Sequence, residues 1–171
     1  MQTQHIPPAA VPPIVLIVED DRDTRDLYQT VFKLAGFWVT EALDAETAFE
    51  QALELQPDVV VTDIGLNGRC DGIALAHRIH GVAKTADLPV IAVTGRNIAD
   101  IDEAAEFSEI LQKPVTPDTL VETTRRVLAA SAALRARGER ARARIPALRE
   151  RSERLVKKSE LLRQAKNTRD E

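Results

Sequence analysis

Five short apolar runs recur along the chain, and the segments between them carry apolar residues at helical spacing. The runs are Ile14-Val15-Leu16-Ile17-Val18, Phe37 to Glu41, Val59-Val60-Val61-Thr62-Asp63, Val90-Ile91-Ala92-Val93 and Glu109-Ile110-Leu111-Gln112, the last being the poorest. A run such as Val59-Val60-Val61 has no polar side to turn toward water, so it reads as a strand buried on both faces. Strands of that kind alternating with helices require a parallel sheet with helices packed on both sides. The flavodoxin-like strand order is one of two common choices for this pattern, and pattern alone does not order the strands.

The intervening segments give the helices. The first is expected from about Arg22 to Ala35, with Leu27, Val31 and Leu34 as its apolar stripe and Gly36 as its stop. Asp44 caps a second through about Leu55, with Ala48, Ala52 and Leu55 at helical spacing. Asp71-Gly72 opens a third in which Ile73, Ala76 and Ile79 form one face. A short helix with a weak stripe is expected from about Asn97 to Glu106. Thr116 or Asp118 caps a long last helix with Leu120, Val121, Val127 and Leu128. Residues 1–13 hold four of the nine prolines and no apolar periodicity, which predicts a disordered leader.

A chain of 171 residues holds one ordinary domain and an appendage. Charge locates the division. From Ala132 onward there are 13 Lys and Arg against 6 Asp and Glu, while the preceding part has 10 against 21, so an acidic domain carries a basic tail. The expected division is leader 1–13, domain 14–131, and a basic helical or partly disordered tail over 132–171. In the tail Leu134, Ala141, Leu148, Leu155 and Leu162 recur every seven residues, but Gly138, Ile145, Ser152, Ser159 and Lys166 make a poor second seam. Pro146 is expected to interrupt the helix. The tail has neither aromatic residues for base stacking nor a helix-turn-helix pattern, which disfavours sequence-specific DNA binding. No stretch approaches the roughly 18 apolar residues of a membrane helix, and no export signal opens the chain. The single cysteine, Cys70, fits a reducing cytoplasm and reads as a plain loop cysteine.

In a parallel sheet the carboxyl ends of all strands share one edge. There Glu19-Asp20-Asp21 follow the first strand, Asp63 ends the third, Thr94 the fourth, and Lys113 follows the fifth. Clustered carboxylates repel one another, and a hard divalent ion such as Mg²⁺ relieves this with a few carboxylates and several waters. Lys113 and Thr94 suit phosphoryl oxygens as point charge and hydroxyl donor. Asp63 is already ionised at neutral pH and can attack phosphorus without a general base. The combination points to phosphoryl acceptance on Asp63, with Mg²⁺ neutralising the charge of the oxygens in transfer. Asp21 reads as a helix cap, its charge set against the helix dipole.

Four motifs in this order carry a resemblance to the receiver domains of two-component response regulators, over roughly residues 13–131. They are Val18-Glu19-Asp20-Asp21; Thr62-Asp63-Ile64-Gly65-Leu66 with Asp71-Gly72; Pro89-Val90-Ile91-Ala92-Val93-Thr94-Gly95; and Lys113-Pro114. The resemblance implies a doubly wound five-stranded parallel sheet, a flavodoxin-like (βα)5 sandwich, here with a C-terminal helical extension. It implies that Asp63 is the phosphoacceptor and Asp20 a direct Mg²⁺ ligand, with Glu19 acting through water and Gly65 giving its backbone carbonyl. Thr94 and Lys113 would bind the phosphoryl group, and Lys113-Pro114 would be a cis peptide. The donor would be a histidine kinase or histidine phosphotransfer protein. The chemistry would be Mg²⁺-dependent self-phosphorylation and autodephosphorylation, with no substrate turned over.

Three departures bear on output. Ile110 stands where the family carries a Tyr or Phe switch, the segment from Thr94 to Lys113 is a few residues short, and Asn67-Gly68-Arg69-Cys70 replaces a Pro-containing turn. With no effector domain recognisable, output is expected through protein contacts, including a homodimer through the receiver face or the tail. The alternatives are a constitutive receiver-like scaffold and a receiver segment of a hybrid kinase. His77 and His80 share one helix face, but with no third ligand nearby in sequence they read as a solvated surface.

Overall fold

Asp21, Asp44 and Asp71 are each extended in backbone and accept a backbone N–H of the following turn on the side chain, and a helix begins after each one. In the computed structural model, which describes residues 11–68, 70–101 and 104–167, these caps open α1 (Arg22–Leu34), α2 (Ala45–Leu55) and α3 (Gly72–His80). The strands are β1 (Ile14–Val18), β2 (Trp38–Ala42), β3 (Val59–Thr62), β4 (Val90–Thr94) and β5 (Glu109–Gln112). Of the expected leader, residues 1–10 lie outside the described residues, and the carbonyl of Pro13 accepts the Trp38 N–H at 2.9 Å.

All neighbouring strands are parallel, in the order β2-β1-β3-β4-β5. This is the flavodoxin-like order that pattern alone left open. Strand alternation explains the absence of any polar side. Leu16, Val18, Val60 and Ala92 pack on one face with Ala48, Ala52, Leu75 and Ile79 of α2 and α3. Val15, Ile17, Val59, Val61, Ile91 and Val93 pack on the other with Tyr28 and Phe32 of α1 and Leu120 and Val127 of the last helix. The poor pattern of β5 has the same cause, since it is an edge strand and only partly buried.

Several expectations differ from the structure, among them Leu55, expected on the α2 stripe but exposed, with Ala45, Ala48 and Ala52 buried instead. The stripe of α1 is not Leu27, Val31 and Leu34: Leu27 and Leu34 are exposed, and the buried residues are Tyr28 and Phe32. Phe32 is fully buried and meets Phe37 edge-on at 5.4 Å, so the large rings decide which side of the helix turns inward. The helix expected over 97–106 is replaced by two 3₁₀ turns, Ile98–Asp100 and Ala104–Glu106, in keeping with a stripe too weak to hold a helix. His77 is exposed, as expected of a solvated surface, while His80 is partly buried; their Nδ1 atoms lie 3.5 and 3.2 Å from the Glu106 carboxylate, and His80 Nε2 is 3.1 Å from the Leu88 carbonyl.

The chain divides into two units at the Ser131/Ala132 boundary. The last helix, α4, runs from Pro117 to Asn167 and passes Pro146 without a break in the helix. Proline removes one donor and crowds one carbonyl, which costs the helix stability without having to end it. No described helix is long and apolar enough to cross a membrane.

The caps support a direct test. Asp71 Oδ1 accepts from the N–H groups of both Ile73 (3.1 Å) and Ala74 (2.9 Å). Asp71→Ala is expected to lower stability by about 1 kcal/mol in urea denaturation, the usual cost of losing such a cap.

Candidate functional site

The reversal of strand order falls between β1 and β3, and in open parallel sheets the carboxyl ends at such a reversal are where ligands bind. β1 delivers Glu19 and Asp20, β3 delivers Asp63, and β5 delivers Lys113. The register holds them level: the Asp63 N–H donates to the Val18 carbonyl at 3.0 Å, and the Lys113 N–H donates to the Thr94 carbonyl at 2.7 Å. The Lys113–Pro114 peptide is cis.

Lys113 joins the acidic ends. Its Nζ donates to Asp63 Oδ2 at 2.7 Å and to Glu19 Oε2 at 3.0 Å, across 50 and 94 residues of sequence. Asp63 Oδ1 accepts the Gly65 N–H at 2.8 Å. Glu19 is only 2% exposed. Burial pushes its carboxyl above the usual range, the charge of Asp63 adds to this, and Lys113 opposes it. For Lys113 burial disfavours the charge, but the hydrogen bonds and charges of Asp63 and Glu19 outweigh it and hold the ammonium well above its ordinary range.

An amine with a raised folded value contributes stability below about pH 10.5 and loses it at higher pH; a carboxyl with a raised value costs stability above about pH 4.5. Without the ammonium, Lys113→Met leaves the Glu19 cost unopposed. In the absence of divalent cations we expect this variant to lose about 2 kcal/mol at pH 7, moderated because the lysine is partly exposed. Urea denaturation at pH 7 and pH 4 should show the deficit shrinking at the lower pH, where the raised Glu19 carboxyl takes up a proton.

Thr94 is buried, and its Oγ1 accepts the Arg96 N–H at 3.1 Å, so the hydroxyl proton is not consumed by that bond. Ile110 is partly buried and packs against the core, as an aliphatic side chain on an edge strand should. Cys70 is buried, with its Sγ 3.8 Å from the Asp71 carbonyl.

Arg25, Asn67 and Gly72 have contacts at the site that the sequence does not announce. Arg25 Nη1 donates to the carbonyls of Glu19 (2.8 Å) and Asp20 (3.4 Å), bracing the turn that carries both acids. Asn67 donates from backbone and side chain to Asp20 Oδ2. Gly72 allows α3 to start directly against the backbone of Asp63, with its N–H donating to the Ile64 carbonyl at 3.1 Å. Asn67 and Gly72 leave a trace in the sequence, the first in the Asn67-Gly68-Arg69-Cys70 turn and the second as a glycine directly after a capping aspartate.

The donors at these strand ends are all oxygens, from the carboxylates of Glu19, Asp20 and Asp63 and the backbone at Gly65, the set that a hard divalent ion such as Mg²⁺ takes. Among the described residues no three acidic, histidine or cysteine side chains form a closed metal cluster. Lys113 stands between two of the acids and Asn67 contacts the third. The donor chemistry nonetheless fits an ion that keeps most of its waters.

A model of the family "Response regulator receiver domain" matches residues 15–125. The chain is 35% identical over 119 residues to the C4-dicarboxylate transport transcriptional regulatory protein DctD of Rhizobium meliloti, covering 67% of this chain and 25% of that protein. It is 30% identical over 121 residues to the DNA-binding dual master transcriptional regulator RpaA of Synechocystis, covering 68% and 49%. This chain thus spans a quarter to a half of those relatives. In fold it is similar to the chemotaxis response regulator CheY4 of Vibrio cholerae, with TM-score 0.62 and 23% identity over 68% of this chain and 99% of that one.

Proposed function

The chain belongs to the response regulator receiver family, signalling proteins of two-component systems, and from that premise we propose that it accepts a phosphoryl group on Asp63. The observation that carries this reading is Lys113 Nζ bridging Asp63 Oδ2 and Glu19 Oε2, which gathers acceptor, acid and cation at one sheet edge. Receiver domains generally bind Mg²⁺ at their acidic phosphorylation site. Here Asp20 and Asp63 would hold it directly, Glu19 through water, and Gly65 through its carbonyl. Bound there, Mg²⁺ supplies charge neutralisation for the oxygens in transfer.

The donor is a histidine kinase or a histidine phosphotransfer protein. A carboxylate oxygen of Asp63 forms the new bond to phosphorus while the phosphorus–nitrogen bond of the donor's phosphohistidine breaks, its electron pair leaving with the imidazole. Lys113 turns its ammonium to a phosphoryl oxygen, and the Thr94 hydroxyl donates to another. The product is an acyl phosphate, lost later by hydrolysis, so the chain works as a signalling switch. Incubation with acetyl phosphate and Mg²⁺ tests the reading by intact mass: one added phosphoryl group per chain is expected, and none would overturn it.

Residues 14–131 form the receiving part and 132–171 the tail. Output runs through protein contacts rather than aromatic rotation, since Ile110 has no ring to rotate and 3₁₀ turns replace the helix before β5. One observation favours homodimerisation through the tail: α4 continues to Asn167 with an apolar residue every seventh position. Light scattering on the full chain and on a chain ending at Ser131 tests this; a dimer and a monomer are expected, and two monomers would overturn it.

A further inference from the structure

The loop after β3 bears a residue that the phosphoryl chemistry does not use. Asn67 lies four positions past Asp63, and both its N–H donors meet one atom, Asp20 Oδ2: the backbone amide at 3.3 Å and the side-chain amide. The contact joins two loops 47 residues apart in sequence. Arg25 holds the other side of Asp20. It donates to the carbonyls of Glu19 and Asp20, and its Nε lies 4.0 Å from Glu41 Oε2. Asp20 is thus fixed at its main chain and at one carboxylate oxygen.

A carboxylate at the start of an exposed turn rotates freely, and a cation binding it must first stop that rotation. Two donors on Oδ2 remove the freedom in advance and leave Oδ1 as the oxygen without a donor among the described residues. We infer that Asn67 is a positioning residue for Asp20, fixing the rotation of its carboxylate so that Oδ1 is presented to a divalent cation. The inference rests on the reading above that Asp20 is a direct Mg²⁺ ligand. Hydrogen-bonded support behind a ligating carboxylate commonly changes metal affinity by ten- to a hundredfold when removed. Asn67→Ala deletes the side-chain donor and leaves the backbone one, which places it at the lower end of that range.

Isothermal titration of MgCl₂ into the full chain tests this in wild type, Asn67→Ala, Asn67→Ser and Asp20→Asn. Asn67→Ala is expected to weaken Mg²⁺ binding about tenfold. Asn67→Ser, whose hydroxyl can donate to the same oxygen, should recover part of the loss. The melting temperature without divalent cations should stay unchanged in both, because the contact is exposed. Equal affinity in wild type and Asn67→Ala would overturn the inference. Tighter binding by Asn67→Ala would also overturn it, by making Asn67 a competitor of the cation. Unchanged binding in Asp20→Asn, or none in wild type, would bring down the assignment of Asp20 as a ligand as well. Uptake of a phosphoryl group from acetyl phosphate by the same wild-type preparation keeps that failure distinct from loss of the acceptor.

Discussion

Asp63→Asn is expected to abolish the phosphoryl adduct completely. The amide matches the carboxylate in size and its oxygen can still accept the Gly65 N–H, so the loop after β3 keeps its anchor. Its nitrogen is a poor nucleophile, and it would face Lys113 Nζ donor to donor where the wild type has a 2.7 Å ion pair. Both changes oppose reaction: the attacking oxygen loses its charge, and the lysine loses the partner that brings it to the site. Intact mass after incubation with acetyl phosphate and Mg²⁺ should show one added phosphoryl group on wild type and none on the variant. An undiminished adduct would place the acceptor elsewhere.

Gly72→Ala is expected to be the most damaging single change to the fold outside the main core. A Cβ at this position would lie 2.2 Å from the Asp63 carbonyl oxygen, 2.9 Å from Ile64 Cα and 3.0 Å from the Asp63 carbonyl carbon. All three are backbone atoms of the segment that carries the acceptor, so no side chain can swing aside to relieve the clash. Either α3 moves away from β3 or the Asp63–Ile64 backbone shifts, and roughly 3 kcal/mol or more of stability should be lost. Gly95→Ala is the control, since nothing lies within 4 Å of the added carbon. Chemical denaturation of the two variants side by side checks this, with Gly95→Ala near wild type. The phosphoryl uptake of Gly72→Ala should fall with its stability, because the displaced backbone is that of Asp63.

Much of this architecture is legible in the residues alone. Runs such as Val59-Val60-Val61 can be satisfied only by burial on both sides, and that alone forces helices onto both faces of a parallel sheet. Capping aspartates marked the starts of three helices because an aspartate competes well for the first free N–H groups. The α1 stripe is ambiguous in sequence, because Leu27 and Leu34 on one face and Tyr28 and Phe32 on the next both keep helical spacing. Packing of Phe32 against Phe37 decides between those faces, and that contact depends on where β2 begins. The pairing of His77 and His80 with Glu106 was hidden for a similar reason, since Glu106 reaches them only through the turns before β5.

The class of fold, the strand ends and the chemical types gathered there, Glu19, Asp20, Asp63, Thr94 and Lys113, follow from the order of residues alone. Buried runs, capping residues and strand termini are local properties, and a parallel sheet puts all those termini on one edge. The folded chain alone reveals the strand order that sets β1 beside β3, the reach of Lys113 across that junction, the two donors of Asn67 on Asp20, and the close approach that requires glycine at position 72. These depend on distances between segments far apart in the chain, set by how helices and sheet pack together.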